Sequence, residues 1–454
     1  MDKLTSSLQG LNTGDDNRKV TETGPATDLA PALGSDEARS TAPQSSLEKL
    51  PVEIQRLILS NAPSVQMLSA LVHASPQLHG VYAEDRLPIL RQVLAQSLEG
   101  VFVDAYGAYL SGTDLLQGQR AETLPWEFIE EHEARCIAPA VPAPQLSLDE
   151  IIQMSDFHTS VVEPLTEAYT SWALSSLPLP EEKARESHGH LSNTERRRIQ
   201  RAMYRLQLFC NVCGSAGDSS WERIEGNVDR LRVLSMFSAW EVEEILSVHE
   251  FAKDKYSEVF KKVAWDLNEE KNPKYGNIDM TSINEFMLLI SDDGTINAAS
   301  LNIVLRHGLR LLSDSIKTED HGQLADTIRA VIVSGSDGNM PVGIYGEDWI
   351  DDAVWDYNQE ARREQWPSHR DSAQDSSQKM IFDGDALDSP PLAWTLFWKE
   401  EYSNLFGSHI PKGLRRWGFV MWDATRLDST AKEAISLEWD YMYDMTDPRE
   451  DDYT

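Results

Sequence analysis

The chain has 454 residues, with 41 Lys and Arg against 74 Asp and Glu, and so carries a formal net charge of −33 at pH 7. That balance excludes broad binding to nucleic acid or to an anionic membrane surface, because phosphate contacts need clustered Lys and Arg. A hydrophobic fraction of 41% with 13 Trp is enough for a sizeable core, and three Cys exclude a disulfide scaffold and fit a reducing compartment. No stretch approaches the ~20 apolar residues of a membrane span. The first residues lack the apolar run of a secretory signal. The expectation is an acidic cytoplasmic or nuclear protein that is not secreted.

Residues 1–45 are rich in Ser, Thr, Gly, Pro, Ala and Asp and hold no aromatic residue, so a disordered arm is expected there. Residues 46–100 predict a three-helix unit. Leu50, Ile54, Leu57 and Ile58 share one face of its first helix, with Pro51 in the first turn and Asn61-Ala62-Pro63 as the stop. Ser64 is placed to cap a second helix with the apolar face Met67, Leu68, Leu71 and Val72. A third helical stretch, from about 77 to 98, should be kinked or divided by Pro88.

A helical body is expected over 101–340. After a Pro-rich joint at 138–145, residues 146–177 read as a helix with Ser147 and Glu150 at capping-box spacing and a kink at Pro164. Residues 191–213 form a strong helical pattern, and further helical runs cover 228–269, 296–316 and 321–333. Residues 367–392 read as a long exposed loop. The final part, 341–454, holds Trp349, Trp355, Trp366, Trp394, Trp398, Trp417, Trp422 and Trp439, with 24 acidic against 11 basic residues. Period-2 alternation is nearly absent, and 418–422 is the best strand candidate. The predicted fold class is mainly α: a three-helix N-terminal unit and a larger irregular helical body, with little β.

Few constellations carry chemistry. Cys210 and Cys213 form CxxC about twenty residues after His188 and His190, a set that could hold zinc. Their position at the end of a helix favours core cysteines instead. Arg196, Arg197, Arg198, Arg201 and Arg205 are the one basic cluster, with Arg197, Arg201 and Arg205 on a ridge opposite Ile199, Met203 and Leu206. In so acidic a chain the ridge is expected to pair with internal carboxylates rather than with nucleic acid. Glu347-Asp348-x-x-Asp351-Asp352 and Asp383-x-Asp385 do not match a calcium loop and read as solvated acid. His249, His307 and His409 have no Cys or Ser constellation beside them, and no nucleophile, phosphate-binding or zinc-protease motif occurs. The Trp-rich segment around Arg415, Arg416, Trp417 and Trp422 is expected to be core more than recognition surface. No catalytic residue, metal ligand or cofactor is expected, and the chain reads as a non-enzyme.

The run Leu50-Pro51-x-Glu53-Ile54, then Ile58-Leu59, a short break, and Leu68-x-x-Leu71-Val72-x-x-Ser75 resembles the F-box. The segments 192–211 and 410–427 resemble blocks of fungal proteins with F-box-like N-termini. The step after Ser75, Pro-Gln-Leu-His-Gly-Val-Tyr, lacks the basic residues and Trp usual in the F-box family. The resemblance implies docking on a Skp-type adaptor of a cullin-RING ubiquitin ligase through Leu50, Pro51, Ile54, Ile58, Leu68, Leu71 and Val72. It implies a substrate receptor whose body selects a protein target. The acidic body implies a target with a basic face and salt-sensitive binding. The alternative is a stand-alone helical scaffold in which these residues only pack.

Overall fold

The structure, a computed structural model, describes residues 45–113, 126–138, 145–178, 190–213, 232–268, 298–335, 379–443 and 447–449, with the single positions 272, 350, 354, 367, 369 and 372. In chain order the helices begin with α1 (Val52–Ser60), α2 (Val65–Ala74), α3 (Pro76–Glu84) and α4 (Arg86–Ser97). Then come α5 (Phe102–Ser111), α6 (Trp126–Ile137), α7 (Leu148–Phe157), a π-helical turn (His158–Val162) and α8 (Glu163–Leu174). The two long helices are α9 (Asn193–Cys213) and α10 (Ala239–Leu267). After them stand α11 (Ala298–Arg306), α12 (Leu309–Lys317), α13 (His321–Gly335), α14 (Leu392–Phe397), α15 (Lys412–Arg416) and α16 (Ser429–Met442). The chain is mainly α, and among the described residues the one β-pairing is a bridge between Lys379 and Glu401.

The residues fall into two units. The first takes in the described residues up to Glu99 and those between Pro144 and Ser160, and the second takes in Gly100–Ala143 and Val161–Thr454. The expected arm, 1–45, lies outside the described residues apart from Ser45.

In the first unit Ser64 caps α2 by accepting from Met67 N at 3.2 Å, and Ser75 caps α3 by accepting from Leu78 N at 3.3 Å. The expected third stretch is two helices, so the unit starts with four helices rather than three. They part at Asp85, because Pro88 has no N–H to donate one turn back and fits only the first turn of α4. Helix α7, read from the sequence as part of the body, packs on α4 instead. Its Ile151 and Met154 are buried, and Arg91 Nη2 donates to Leu146 O at 2.8 Å. Its N-terminus carries the expected capping box, with Ser147 N donating to Glu150 Oε2 at 2.7 Å and Glu150 N to Ser147 Oγ at 3.4 Å. A π-helical turn, His158–Val162, stands just before Pro164, where a kink is expected.

In the second unit α9 packs against α5 and α10, and from Arg198 onward almost every side chain of α9 is buried. The helical run at 296–316 is broken at Gly308, whose φ of +79° suits glycine; Gln207 Oε1 accepts from Leu309 N there at 2.8 Å. Trp394, Trp398, Trp417, Trp422 and Trp439 are buried, with Trp240 and Trp394 6.4 Å and Trp394 and Trp398 5.9 Å apart between ring centroids. Trp349, Trp355 and Trp366 lie outside the described residues. The strand expected at 418–422 is a 3-10 turn, Phe419–Met421. Gly418 at φ +64° reverses the chain after α15 and accepts from Met421 N at 2.8 Å, which closes a tight helical turn in place of an extended run.

Candidate functional site

The lead-in to α1 is held from inside the first unit. Gln55 is fully buried, and its Nε2 donates to the carbonyls of Leu47, Glu48 and Leu50 at 3.3, 3.1 and 3.0 Å. Gln77 Nε2 donates to Glu48 O at 2.8 Å, and Ser75 Oγ donates to Glu48 Oε1 at 2.6 Å. The Ser75 hydroxyl, with the largest effect, and Ser45 N hold the Glu48 carboxyl below its ordinary range.

With Gln55 and Leu59 turned inward, α1 presents apolar residues to solvent: Ile54 is 41% and Leu57 58% exposed. Leu50 and Pro51 in the approach to the helix and Val52 at its start are exposed as well, and Met67 on α2 is 48% exposed. At 100° per residue, Ile54 and Ile58 on α1, and Met67 and Leu71 on α2, form i, i+4 pairs beside each helix's buried stripe. Ile58 and Leu71 are half-buried.

Of the seven residues expected to dock an adaptor, Leu50, Pro51 and Ile54 are thus exposed, and Ile58 and Leu71 partly so. Leu68 and Val72 depart from that expectation. Each is 2% exposed, on the α2 face that α3 and α4 cover. Leu57, Val52 and Met67 belong to the outward apolar set and lie outside the expected one. The sign that identifies them is the polar Gln55 at the position where a helix normally turns a hydrophobic residue inward.

Of the arginine cluster in the second unit, Arg198, Arg201 and Arg205 are internal, and Arg196 pairs at the surface with Glu167 at 2.9 Å. Arg201 donates through Nε to Glu244 Oε2 at 3.0 Å and through Nη2 to Glu244 Oε1 at 2.7 Å, and Nη1 lies 3.0 Å from Glu241 Oε1. Arg205 Nε donates to Asp104 Oδ1 at 2.7 Å, and Arg198 Nη1 to Asp423 Oδ1 at 3.1 Å. The residues that turn to these partners are Arg198, Arg201 and Arg205, whereas Arg197 is half-buried and donates to Gln200 Oε1 at 3.1 Å. Burial opposes the charge on Arg201, but Glu244 and Glu241 outweigh it and hold the guanidinium above its usual range. Elsewhere in the unit, fully buried Glu243 accepts from Arg415 Nε at 2.7 Å and from Gly407 N at 2.7 Å.

The CxxC cysteines are both buried on α9, and Cys210 Sγ donates to Leu305 O at 3.5 Å. Of their suggested partners His190 is exposed and His188 lies outside the described residues. Glu347, Asp348, Asp351 and Asp352 also lie outside them, while Asp385 accepts from Ala424 N at 3.0 Å as a loop anchor. Among the described residues, the group that could hold a metal is one no sequence motif marks: Asp104, His132 and Cys136, with one donor atom of each within 4.8 Å of the others. Its signal is the four-residue spacing of His132 and Cys136, which sets both on one side of α6. No helix is long and apolar enough to cross a membrane among the described residues.

Comparison with known proteins found no family model, no curated protein and no solved structure that matches this chain.

Proposed function

We propose that the first unit is an F-box-like docking module for a Skp-type adaptor and that the acidic second unit engages a protein target. The observation that carries this reading is the inverted polarity of α1: Gln55 is fully buried while Ile54 and Leu57 face solvent at 41% and 58% exposure. Covering the exposed half of one such side chain stabilises a complex by roughly 1 kcal/mol. Gln55 also fixes the backbone that carries Leu50 and Pro51, so the surface is held in shape before a partner arrives. The second unit encloses Arg198, Arg201 and Arg205 with carboxylates in a chain of net charge −33, which favours a target with a basic face.

Titration of the full chain with purified Skp-type adaptor tests the reading. Binding by the wild type that is lost in a Leu50→Ala, Ile54→Ala, Leu57→Ala variant supports it. No binding, or equal binding by that variant, removes it. A second reading, a stand-alone helical scaffold, draws on Leu68 and Val72, which are consumed by the unit's own core. It predicts that no adaptor binds and that the variant behaves as the wild type does.

A further inference from the structure

Helix α5 packs on α6 within the second unit, and Gly107 makes the approach close. A Cβ on Gly107 would stand 2.7 Å from His132 Nδ1, so only a residue without one leaves room for the imidazole. The ring is thereby carried toward Asp104, one turn earlier on α5. Asp104 is 5% and His132 1% exposed, and Cys136 is half-buried.

One donor pair has the spacing of a tetrahedral metal site, and all three donors lie within 4.8 Å of one another. Zinc bonds of ~2.3 Å to sulfur and ~2.0–2.1 Å to nitrogen at a tetrahedral angle set the two donors about 3.6 Å apart. Cys136 Sγ and His132 Nε2 are 3.7 Å apart. Asp104 is oriented from outside by Arg205 Nε, which donates to Oδ1 at 2.7 Å, as carboxylates that bind metals commonly are. Phe128 lies parallel to the imidazole, with centroids 6.1 Å apart and planes inclined by 10°, and restrains its rotation.

We propose that Asp104, His132 and Cys136 bind one zinc ion that clamps α5 to α6, with water as the fourth ligand. The thiol releases its proton to solvent as the S–Zn bond forms. Asp104 is already ionised and paired with Arg205, so one released proton against a dication leaves the site one positive charge higher, and Glu241, 3.2 Å from Arg205 Nη1, lies close enough to offset it. A thiolate and an imidazole select zinc over magnesium or calcium, which prefer oxygen ligands.

Elemental analysis of the full-length protein from zinc-replete medium should find about one zinc per chain. Cobalt(II) added to chelator-treated protein should produce a thiolate-to-cobalt charge-transfer band and the d–d bands of four-coordinate cobalt. In Cys136→Ser and His132→Gln the bound metal should fall below roughly a tenth of an equivalent. The chain has three Cys, so a cobalt–thiolate band retained in the Cys210→Ser, Cys213→Ser double variant must arise from Cys136, and that result needs no change at the site itself. Wild-type protein without zinc or a cobalt–thiolate band overturns the proposal. So does loss of the band in the Cys210→Ser, Cys213→Ser variant, or undiminished zinc in folded Cys136→Ser.

Discussion

Arg201 and Glu244 form a two-bonded ion pair inside the second unit, with bonds of 3.0 and 2.7 Å and side chains 2% and 0% exposed. The pair joins α9 to α10, the two longest helices. Removal of one partner leaves a buried charge without its counterion, which typically costs 3–5 kcal/mol; replacement of both by apolar groups is close to neutral. Arg201→Met should therefore lower unfolding stability by about 3–5 kcal/mol, and adding Glu244→Leu should recover a large part of it. Urea titration followed by tryptophan fluorescence measures both. A single variant that costs under about 1 kcal/mol would mean that Glu244 takes up a proton or draws on Arg198 or Arg205 in place of Arg201.

Glu48 links the lead-in before α1 to the start of α3 through Ser75. Its carboxyl titrates below the ordinary glutamate value of 4.5, so the stability it contributes is present above pH 4.5 and is lost as the pH falls through its folded value. Ser75→Ala removes this contact and the cap of α3 together and should destabilise the first unit by about 1 kcal/mol at neutral pH. The variant should also flatten the acid limb of the stability profile. Thermal unfolding from pH 7 to pH 3 in both proteins checks this, and parallel profiles would show that Glu48 finds other partners.

The helices were legible where the cause is local. Periodicity and caps depend on residues three or four apart, and Ser64 and the Ser147–Glu150 box act as their spacing predicts. The break at Asp85 was harder to place, because Pro88 forbids a continuous helix without saying which residue leaves it. The inward pairing of Arg201 and Arg205 was legible from the chain's acidity, but their partners were not, nor that Arg198 joins them in place of Arg197. Arg198, Arg201 and Arg205 find Asp423, Glu244 and Asp104, all more than 40 residues away. The Asp104, His132 and Cys136 group escaped for the same reason, since only the packing of α5 on α6 adds the carboxylate. The outward apolar face of α1 was legible as a face, but its exposure became visible only once Gln55 was found on the opposite side.

Gly407 marks a position where backbone shape and burial coincide. Its φ is +67°, its N–H donates to Glu243, and a Cβ there would lie 2.6 Å from Val354 O. Gly407→Ala should cost about 2 kcal/mol or more through the left-handed conformation and the clash together. Gly80 offers the contrast, since it lies inside α3 with nothing within 4 Å of an added Cβ. Gly80→Ala should therefore stabilise by about 0.5–1 kcal/mol. Differential scanning calorimetry of the two variants should give shifts of opposite sign, and a shared direction would contradict the local geometry at one of them.

Leu57 separates folding from docking more cleanly than any other residue of α1. At 58% exposure its truncation removes little packing, so Leu57→Ala should change unfolding stability by no more than about 0.5 kcal/mol. Buried at the centre of an adaptor interface, the same side chain should be worth more than about 1 kcal/mol, a loss of roughly tenfold in affinity when combined with Ile54→Ala. Leu68→Ala should do the reverse: it leaves a cavity in the unit's core, costs about 2–5 kcal/mol of stability, and affects adaptor binding only through unfolding. Paired calorimetric titration and thermal unfolding of the three variants separate these effects. If Leu57→Ala and Ile54→Ala leave adaptor binding intact while Leu68→Ala weakens it in proportion to its instability, the outward face of α1 is not the docking surface.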